Sequence, residues 1–258
     1  MVDIDVYGYI DGEKWADSDV TARDFIKQLR AAGGDDVTIH INSGGGSTTE
    51  AAAMADAIRA YKGATTASIE GIAASAASYF ALASDRVVMN PYALFMVHNP
   101  SGACMGTAKD MRDTADTLDK VRGTIVSAYA KKTGKGADEI GSLMDEETWF
   151  TADEALEAGF VDALTDGEPV EARVDEKTVA SYRHAPDQLK CRDEKVLGEQ
   201  ESNIQGERKA EKPDAGAAED ETGAVSKVVC VNGTFLNYAK ENPDEVLDPD
   251  PQRHSGHR

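Results

Sequence analysis

A serine, a histidine and a carboxylate stand in three separate segments of this chain, and together they could carry out acyl transfer. Ser75 lies among alanines in GIAASAAS, His98 follows a short apolar run in FMVHNP, and Glu147 closes an acidic run before TWF. Acyl transfer by serine needs a base for the hydroxyl proton, a group that orients this base, and N–H donors for the developing oxyanion. The sequence offers a candidate for each of these tasks.

The residues around Ser75 predict a turn from a strand into an apolar helix. Small side chains on both sides would let a substrate backbone approach closely, and a helix N-terminus supplies free amides for an oxyanion. Taken alone, the segment is explained more simply by a serine that caps the helix. Ser78 is the competing nucleophile, but it would lie one turn deeper, where hydroxyls usually bond the backbone.

A glycine turn and a strand end are the other two segments of interest. INSGGGS, residues 41–47, lacks the lysine of a phosphate-binding loop and the spacing of a dinucleotide fingerprint. Its amides could face a carbonyl oxygen or an extended peptide, although a tight turn is sufficient explanation. His98 follows a predicted strand, and active-site groups gather at strand ends in α/β sheets. His40 lies inside a strand, where we expect it to be neutral and packed.

These segments must be positioned by alternating strands and helices. Helical patterns cover Thr48–Tyr61, with a capping box from Ser47 to Glu50, and Thr107–Lys132, with Gly134 as C-terminal cap. A further capping box, from Thr151 to Glu154, opens a short helix before a strand-like Phe160–Leu164. Other strands are predicted at Val37–Ile41, Thr66–Ile69, Arg86–Met89 and Leu94–Val97. The alternation predicts an α/β fold with a largely parallel sheet.

The character of the sequence changes near residue 165, so we predict a folded domain over residues 1–165 and an extension over 166–258. The stretch Gln188–Thr222 is dominated by charged residues, glutamine, glycine and alanine. Such a composition predicts disorder, because it cannot bury enough apolar surface to offset its ordering entropy. An apolar island at 228–238 is expected to be either a docking motif or a β-hairpin around Asn232 and Gly233.

Composition excludes several classes of function. A net charge of −20 argues against nucleic acid and anionic membranes as partners. No apolar run is long enough for a transmembrane helix, and no secretory signal is recognised at the start. Three widely spaced cysteines form neither a metal motif nor a disulfide framework, which favours a reducing cytoplasm. We expect neither a metal nor a cofactor.

Taken together, the motifs resemble the ClpP peptidase family over roughly residues 4–165. INSGGGS is similar to its glycine motif, with Gly44 where proline is commoner, and GIAASAAS and FMVHNP are similar to its serine and histidine motifs. The resemblance implies the ββα spiral that this family shares with crotonases. It also implies that Ser75 is the nucleophile, His98 the base, and the amides of Gly45 and Ala76 the oxyanion hole.

The acid is implied by the segment ETWFTADEALEAGFVDAL. The family's usual aspartate stands four residues before the serine or threonine that opens the short helix, which here gives Glu147 rather than an aspartate. Asp145 remains the alternative, because in an extended segment its side chain would point to the same side as that of Glu147.

The resemblance implies a serine endopeptidase that acts on peptides or proteins in a homo-oligomeric ring; an ATPase partner is left open. GGGS, ETWFTADEA and the extension are most similar to head maturation proteases of tailed viruses and proviruses. That subclass would place the protein in the host cytoplasm with capsid or portal proteins as partners. Two alternatives stay open: a crotonase-like acyl-CoA enzyme, and a scaffold protein with the fold but no activity.

Overall fold

The computed structural model describes residues 1–167, residues 182–186, Leu189, and two short strands near the C-terminus. Strands and helices alternate through the first part of the chain. In chain order the elements are β1 (Val2–Ile10), α1 (Ala22–Ala31), β2 (Val37–Gly46), α2 (Thr48–Arg59), β3 (Thr65–Ala74), α3 (Ala76–Ala81), β4 (Arg86–Met89), β5 (Leu94–Val97), α4 (Ala108–Thr133), α5 (Ala137–Asp145), β6 (Thr148–Phe150), α6 (Ala152–Glu157) and β7 (Ala163–Leu164).

The sheet is mostly parallel, which confirms the predicted α/β class. Its strands run in the order β1-β2-β3-β4-β7, all parallel. The first half of β3 pairs with β4, and its last residues pair with β5, which in turn pairs with β6 in the antiparallel direction. β3 therefore changes partner on one side along its length, from β4 to β5, while Ala73 still pairs with Ser43 of β2 on the other side.

Two of the predicted strands are longer than the sequence pattern indicates, and the predicted Phe160–Leu164 is shorter, since only Ala163–Leu164 pairs as β7. β2 continues from Ile41 to Gly46 with a shift of register, and β3 extends to Ala74. The alternation of buried and half-buried residues that opens β3 gives way to a fully buried end over Ile72–Ala74. Ile72 and Ala74 pack with Met96 in a small cluster separate from the main core.

The main core lies between the sheet and the helices and is built around aromatic side chains. Phe95 and Phe150 of the β5–β6 pair contact Phe160, whose ring also meets the edge of Tyr129 from α4. All four residues are buried. This packing anchors β5, and therefore the residues that follow it, against the long helix α4.

Helix ends follow the predicted capping motifs with one difference. Thr151 and Glu154 form the full capping box of α6, and Gly134 ends α4 in the left-handed conformation at φ 74°. At α2, the Ser47 hydroxyl accepts from the Glu50 amide as predicted. The Glu50 carboxylate does not reach back to Ser47, because it accepts a hydrogen bond from the Ala22 amide at the start of α1. The hydrogen bond predicted between the Ser47 amide and the Glu50 carboxylate is therefore replaced by a contact with α1.

The C-terminal extension is described only in part. The prediction of disorder for Gln188–Thr222 lies, apart from Leu189, outside the described residues. In the apolar island, β8 (Val229–Val231) pairs with β9 (Thr234–Leu236) in the antiparallel direction. The hairpin is therefore the alternative that the structure contains.

Candidate active site

Ser75 occupies the turn between β3 and α3 in an uncommon backbone conformation. Its backbone φ and ψ are 56° and −121°, and residues other than glycine rarely adopt a positive φ. Its amide donates to the Met96 carbonyl at 3.1 Å, which ties the turn to β5. The Ser75 side chain makes no capping hydrogen bond to α3. The simpler interpretation of Ser75 as a helix cap is therefore wrong, and backbone strain at one residue is a feature often found at functional sites.

His98 lies beside Ser75 because the two strands that carry them are paired. Ala74 of β3 stands opposite Met96 of β5 in a parallel register, so both strands end at the same edge of the sheet. The His98 Nε2 is 2.7 Å from the Ser75 Oγ. The two residues singled out from separate sequence motifs thus form a hydrogen-bonded dyad.

The imidazole of His98 is held in the neutral form. Burial lowers its pKa below the ordinary value, and the charge of Arg183 lowers it further, while the charge of Glu147 raises it. The net result is a lowered pKa, so the ring is unprotonated at neutral pH. With Nδ1 carrying the proton, Nε2 can accept the proton of the serine hydroxyl.

Glu147 is a buried carboxylate close to His98, but its hydrogen bonds go elsewhere. Its backbone also has a positive φ, 52°, and the residue is only 7% exposed. Oε1 accepts from the His184 amide at 2.7 Å and Oε2 from the Arg183 amide at 2.9 Å. Within the described part of the chain, no hydrogen bond joins Glu147 to His98. The acid named by the sequence therefore acts on the imidazole through its charge in this structure.

The pKa of Glu147 reflects the same contacts. Burial raises the pKa of this carboxyl, but hydrogen bonds from the amides of His184 and Arg183, helped by the Trp149 indole and the charge of His98, lower it. The hydrogen bonds outweigh burial, and the pKa lies below its ordinary value. Glu147 is consequently ionised at neutral pH despite its low exposure.

Asp145, the alternative acid, is committed to another network. Its Oδ1 accepts from the Asn99 side chain at 2.7 Å and from Arg122 at 3.0 Å, and the Arg122 Nε donates to the Asn99 Oδ1 at 2.8 Å. These bonds tie the end of α5 to the residue that follows His98. Asp145 lies near the dyad as a support for the His98 loop and does not contact the imidazole.

Ser78, the competing nucleophile, is fully buried in α3. Its hydroxyl lies 2.7 Å from the Ser75 carbonyl, 2.8 Å from the Met96 carbonyl and 2.8 Å from the Tyr129 hydroxyl. A hydroxyl with three protein partners and no solvent exposure is unsuited to attack a peptide. Ser78 instead links α3, β5 and α4 beneath the turn that carries Ser75.

The glycine turn lies directly against Ser75. Gly45 has a φ of 95°, and a Cβ at this position would be 2.5 Å from the Ala74 carbonyl oxygen and 2.9 Å from the Ala76 nitrogen. Ala76 is the first residue of α3, where amides lack an acceptor within the helix. The Gly45 amide donates to the Ser43 Oγ at 3.1 Å. The two expected oxyanion donors are thus neighbours, but the Gly45 N–H is already bonded.

Comparison with known protein families shows to which family this chain belongs. The family profile described as Clp protease matches residues 15–168. The chain belongs to the Clp protease family. The predicted resemblance is confirmed by this match, and the ββα spiral architecture with it.

Relatives and solved structures agree. The chain is 35% identical over 136 residues to the ATP-dependent Clp protease proteolytic subunit 2 of Thermobifida fusca, covering 52% of this chain and 67% of that protein. It is 34% identical over 155 residues to proteolytic subunit 1 of Chlamydia abortus, covering 57% and 81%. The solved structure of a ClpP1 point mutant from Listeria monocytogenes superposes with a TM-score of 0.57 at 26% identity, covering 64% of this chain and 92% of that one.

An apolar pocket opens on one side of the dyad in this Clp protease domain. Its volume is about 150 Å³, and Ser75 and His98 stand at its edge. The remaining lining residues come from α2, α3, α4 and the loop after β5: Thr48, Thr49, Ala52, Ala76, Tyr79, Pro100, Val121, Thr124, Ile125 and Tyr129. A pocket of this size and lining suits an apolar side chain next to the reacting carbonyl.

The other side of the dyad is covered by a short piece of the C-terminal extension, which sequence reasoning missed. We refer to Tyr182–Pro186 as the strap. Its Tyr182 ring packs against His98 and Trp149, and the Tyr182 hydroxyl donates to the Gly44 carbonyl. The available signal was that Tyr182 is the last aromatic residue before Phe235. An aromatic residue beside an otherwise polar stretch points to a contact with the folded domain.

His40 differs from its prediction. Its Nδ1 is 2.6 Å from the Glu70 Oε1 and its Nε2 is 3.3 Å from the Asp3 Oδ1. Burial lowers the pKa of His40, but the two carboxylates raise it and prevail. The expectation of simple packing missed these two contacts, because the neighbouring strands place acids on both ring nitrogens.

The described residues contain neither a metal-binding cluster nor a membrane-spanning helix. Among residues 1–167, 182–186 and 189, no three histidine, cysteine or acidic side chains are grouped in a way that could hold a metal ion. None of the helices described is both long and apolar enough to cross a membrane.

Proposed function

We propose that this protein is a serine endopeptidase in which Ser75 attacks the peptide carbonyl and His98 is the general base. The observation that carries the proposal is the 2.7 Å contact between the Ser75 Oγ and the His98 Nε2, at a strained turn beside an apolar pocket. Relatives named as proteolytic subunits of ATP-dependent Clp proteases support it.

The proposed reaction has two stages, formation of an ester on Ser75 and hydrolysis of that ester. The Ser75 Oγ forms a bond to the carbonyl carbon while its proton passes to the His98 Nε2, and the resulting tetrahedral oxyanion is stabilised by backbone N–H groups. His98 then returns this proton to the departing amine, leaving an ester on Ser75. Water then attacks the ester carbon while its proton passes to the His98 Nε2, and His98 returns this proton to the Ser75 Oγ as the bond to the new carboxyl end breaks.

Glu147 is the third member of this proposed triad. Its negative charge raises the pKa of His98 and so stabilises the imidazolium that forms when the serine proton is taken up. Ala76 and Gly45 are the proposed oxyanion donors. For Gly45 this requires that its N–H leave the Ser43 hydroxyl.

We also propose a homo-oligomer with capsid or portal proteins as substrates, by similarity of the GGGS and ETWFTADEA motifs to head maturation proteases. The long helix α4 supports assembly, since most of its first half is exposed. An oligomer that encloses the dyad would keep folded proteins away from Ser75.

One observation favours a second candidate function. Because no hydrogen bond joins Glu147 to His98 in the described residues, the chain could be a non-catalytic scaffold of the same fold. A triad without a functioning acid loses most of its rate. Hydrolysis of a denatured protein substrate distinguishes the two candidates, since the scaffold leaves the substrate intact.

A fluorophosphonate probe tests the peptidase directly. The probe should label the protein at Ser75, because a neutral His98 activates this hydroxyl above ordinary serines. Ser75→Ala should abolish labelling, whereas Ser78→Ala, in the same helical segment, should retain it. Intact-mass and peptide mapping would locate the adduct. An adduct on Ser78, or on no serine at all, would reject the proposal.

A further inference from the structure

The strap contacts the dyad on the flank opposite the apolar pocket. The Tyr182 ring meets the rings of His98 and Trp149 edge-on, with centroids 5.6 Å and 5.4 Å away. Tyr182 packs with the small cluster of Ile72, Ala74 and Met96, and Ala185 is only 3% exposed. Among these contacts of Tyr182, only His98 also lines the apolar pocket. The two flanks of the dyad are therefore distinct binding surfaces.

The backbone of the strap binds the side chain of the proposed acid. The amides of Arg183 and His184 donate to the two oxygens of Glu147, and the His184 Nδ1 lies 2.9 Å from the Glu146 carbonyl. These are contacts between the backbone of the strap and the acidic residues Glu146 and Glu147. They leave Glu147 directed at the strap rather than at His98.

Tyr182 acts on the oxyanion donor through a single peptide unit. Its hydroxyl bonds the Gly44 carbonyl, and the N–H of the same peptide belongs to Gly45. In a trans peptide the C=O and N–H point in opposite directions. With its carbonyl held toward the strap, this unit directs its N–H to the Ser43 Oγ.

The flank under the strap lies where one side of a cleaved peptide substrate is expected to bind. A peptide cut at Ser75 must extend to both sides of the dyad. We assign the apolar pocket to the side chain on the acyl side because it is the enclosed apolar space at the dyad; with this assignment, the departing amine and the residues after it lie on the other flank, within reach of His98.

We propose that the flank formed by Gly44, His98, Glu147 and Trp149 is the subsite for the leaving-group half of a peptide with an aromatic residue, and that the strap fills it as an internal competitor. The inference rests on the proposed peptidase function. When the strap leaves, Glu147 becomes free to bond the His98 Nδ1, and the Gly44–Gly45 peptide becomes free to turn its N–H toward Ser75.

Release of the strap in the full chain should raise activity. Tyr182→Ala removes both the ring packing and the Gly44 hydrogen bond, and kcat/KM for a fluorogenic peptide should rise about tenfold if about one molecule in ten is open in the parent chain. Tyr182→Phe, which keeps the ring, should give a smaller rise. The matched control is Tyr92→Ala, which removes a tyrosine that is 59% exposed and outside the site; its activity should equal that of the parent.

The subsite itself can be tested in trans. A terminally blocked peptide of the sequence Tyr-Arg-His-Ala-Pro should bind the full-length Tyr182→Ala chain, measured by fluorescence anisotropy, and should inhibit its hydrolysis competitively. The same peptide with alanine in place of tyrosine should bind at least about tenfold more weakly, since it lacks the aromatic ring that fills the space beside Trp149.

The possible outcomes separate this inference from the peptidase proposal. If the parent chain cleaves peptides and a folded Tyr182→Ala chain cleaves them equally or more slowly, the strap is no competitor and the inference is overturned. If no chain cleaves, the peptidase proposal fails, and the anisotropy experiment decides: tyrosine-dependent binding supports the subsite, and its absence overturns it.

Discussion

At the scale of single residues, the two carboxylates before β6 have opposite surroundings although only one residue separates them. Asp145 is exposed and ion-paired with Arg122, whereas Glu147 is buried and bonded by backbone amides. Of these two carboxylates, only Glu147 affects the pKa of His98 through its charge. Loss of charge at the two positions should therefore have different consequences.

We expect Glu147→Gln to lower kcat by about a hundredfold, because the imidazolium loses the nearby negative charge that stabilises it. Asp145→Asn is the matched control, since it neutralises a carboxylate two residues away that does not touch His98, and its effect should stay within a few-fold. Steady-state hydrolysis of a fluorogenic peptide measures both. Equal, small losses would show that neither carboxylate completes a triad.

The lowered pKa of His98 sets the pH dependence. Activity requires neutral His98, so the acidic limb of kcat/KM should fall below about pH 6.5, the ordinary histidine value. In Glu147→Gln the charge that raises this pKa is gone, and the limb should move to still lower pH. A limb that moves to higher pH in the variant would contradict this electrostatic assignment.

The sequence was informative about residues with local signatures. Ser75 and His98 were identified from their motifs, and parallel pairing of β3 with β5 brings them together. The hydrogen bonds of Glu147 could not be read from its own segment, because its partners are 36 and 37 residues further along the chain. The two carboxylate partners of His40 were missed for the same reason, since Asp3 and Glu70 come from other strands.

At the scale of elements, β3 shows which features periodicity can and cannot predict. Its alternating first half was recognised, but its buried end and change of partner were not, because they depend on pairing with β5. The short strand β6 was likewise not predicted as a separate element. Its pairing with β5 carries Glu147 to the site, so part of the active-site geometry is encoded in long-range contacts.

The close contact between Gly45 and the turn that carries Ser75 leads to a prediction. Gly45→Ala should destabilise the fold by about 1–3 kcal/mol and abolish most activity, since its positive φ is strained for alanine and its Cβ would overlap the Ala74 carbonyl. Gly123→Ala is the matched control, because Gly123 lies in α4 with open space around it. It should raise stability by about 0.5–1 kcal/mol. Denaturant unfolding and peptide hydrolysis measure both, and a fully active, stable Gly45→Ala chain would exclude the close packing.

At the scale of the whole molecule, the exposed part of α4 is the surface most consistent with assembly. Met111 on this helix is 52% exposed, and Met105 just before it is 55% exposed. Exposed large apolar side chains close together on a surface are typical of an interface. The oligomer is therefore expected to use α4.

Native mass spectrometry should find a homo-oligomer of about six or more subunits, the ring expected for a Clp protease fold. Met111→Glu should shift the population toward smaller species, because a charge would be buried in the interface. The control is Leu156→Glu, a large apolar residue on α6 that is 39% exposed. A parent chain that is monomeric and still cleaves peptides would contradict the assembly.

The long sequence separation between the dyad and the strap has a consequence for the newly made chain. Gly44, Ser75, His98 and Glu147 are all synthesised before Tyr182, and Tyr182 lies 138 residues beyond the Gly44 carbonyl that it bonds. At about 5–20 residues per second, the segment between Glu147 and the strap takes roughly 2–7 s to translate. For those seconds the ribosome holds a chain that already contains every dyad and acid residue but has no strap, so the order of translation alone leaves this flank of the site uncovered first and covered afterwards.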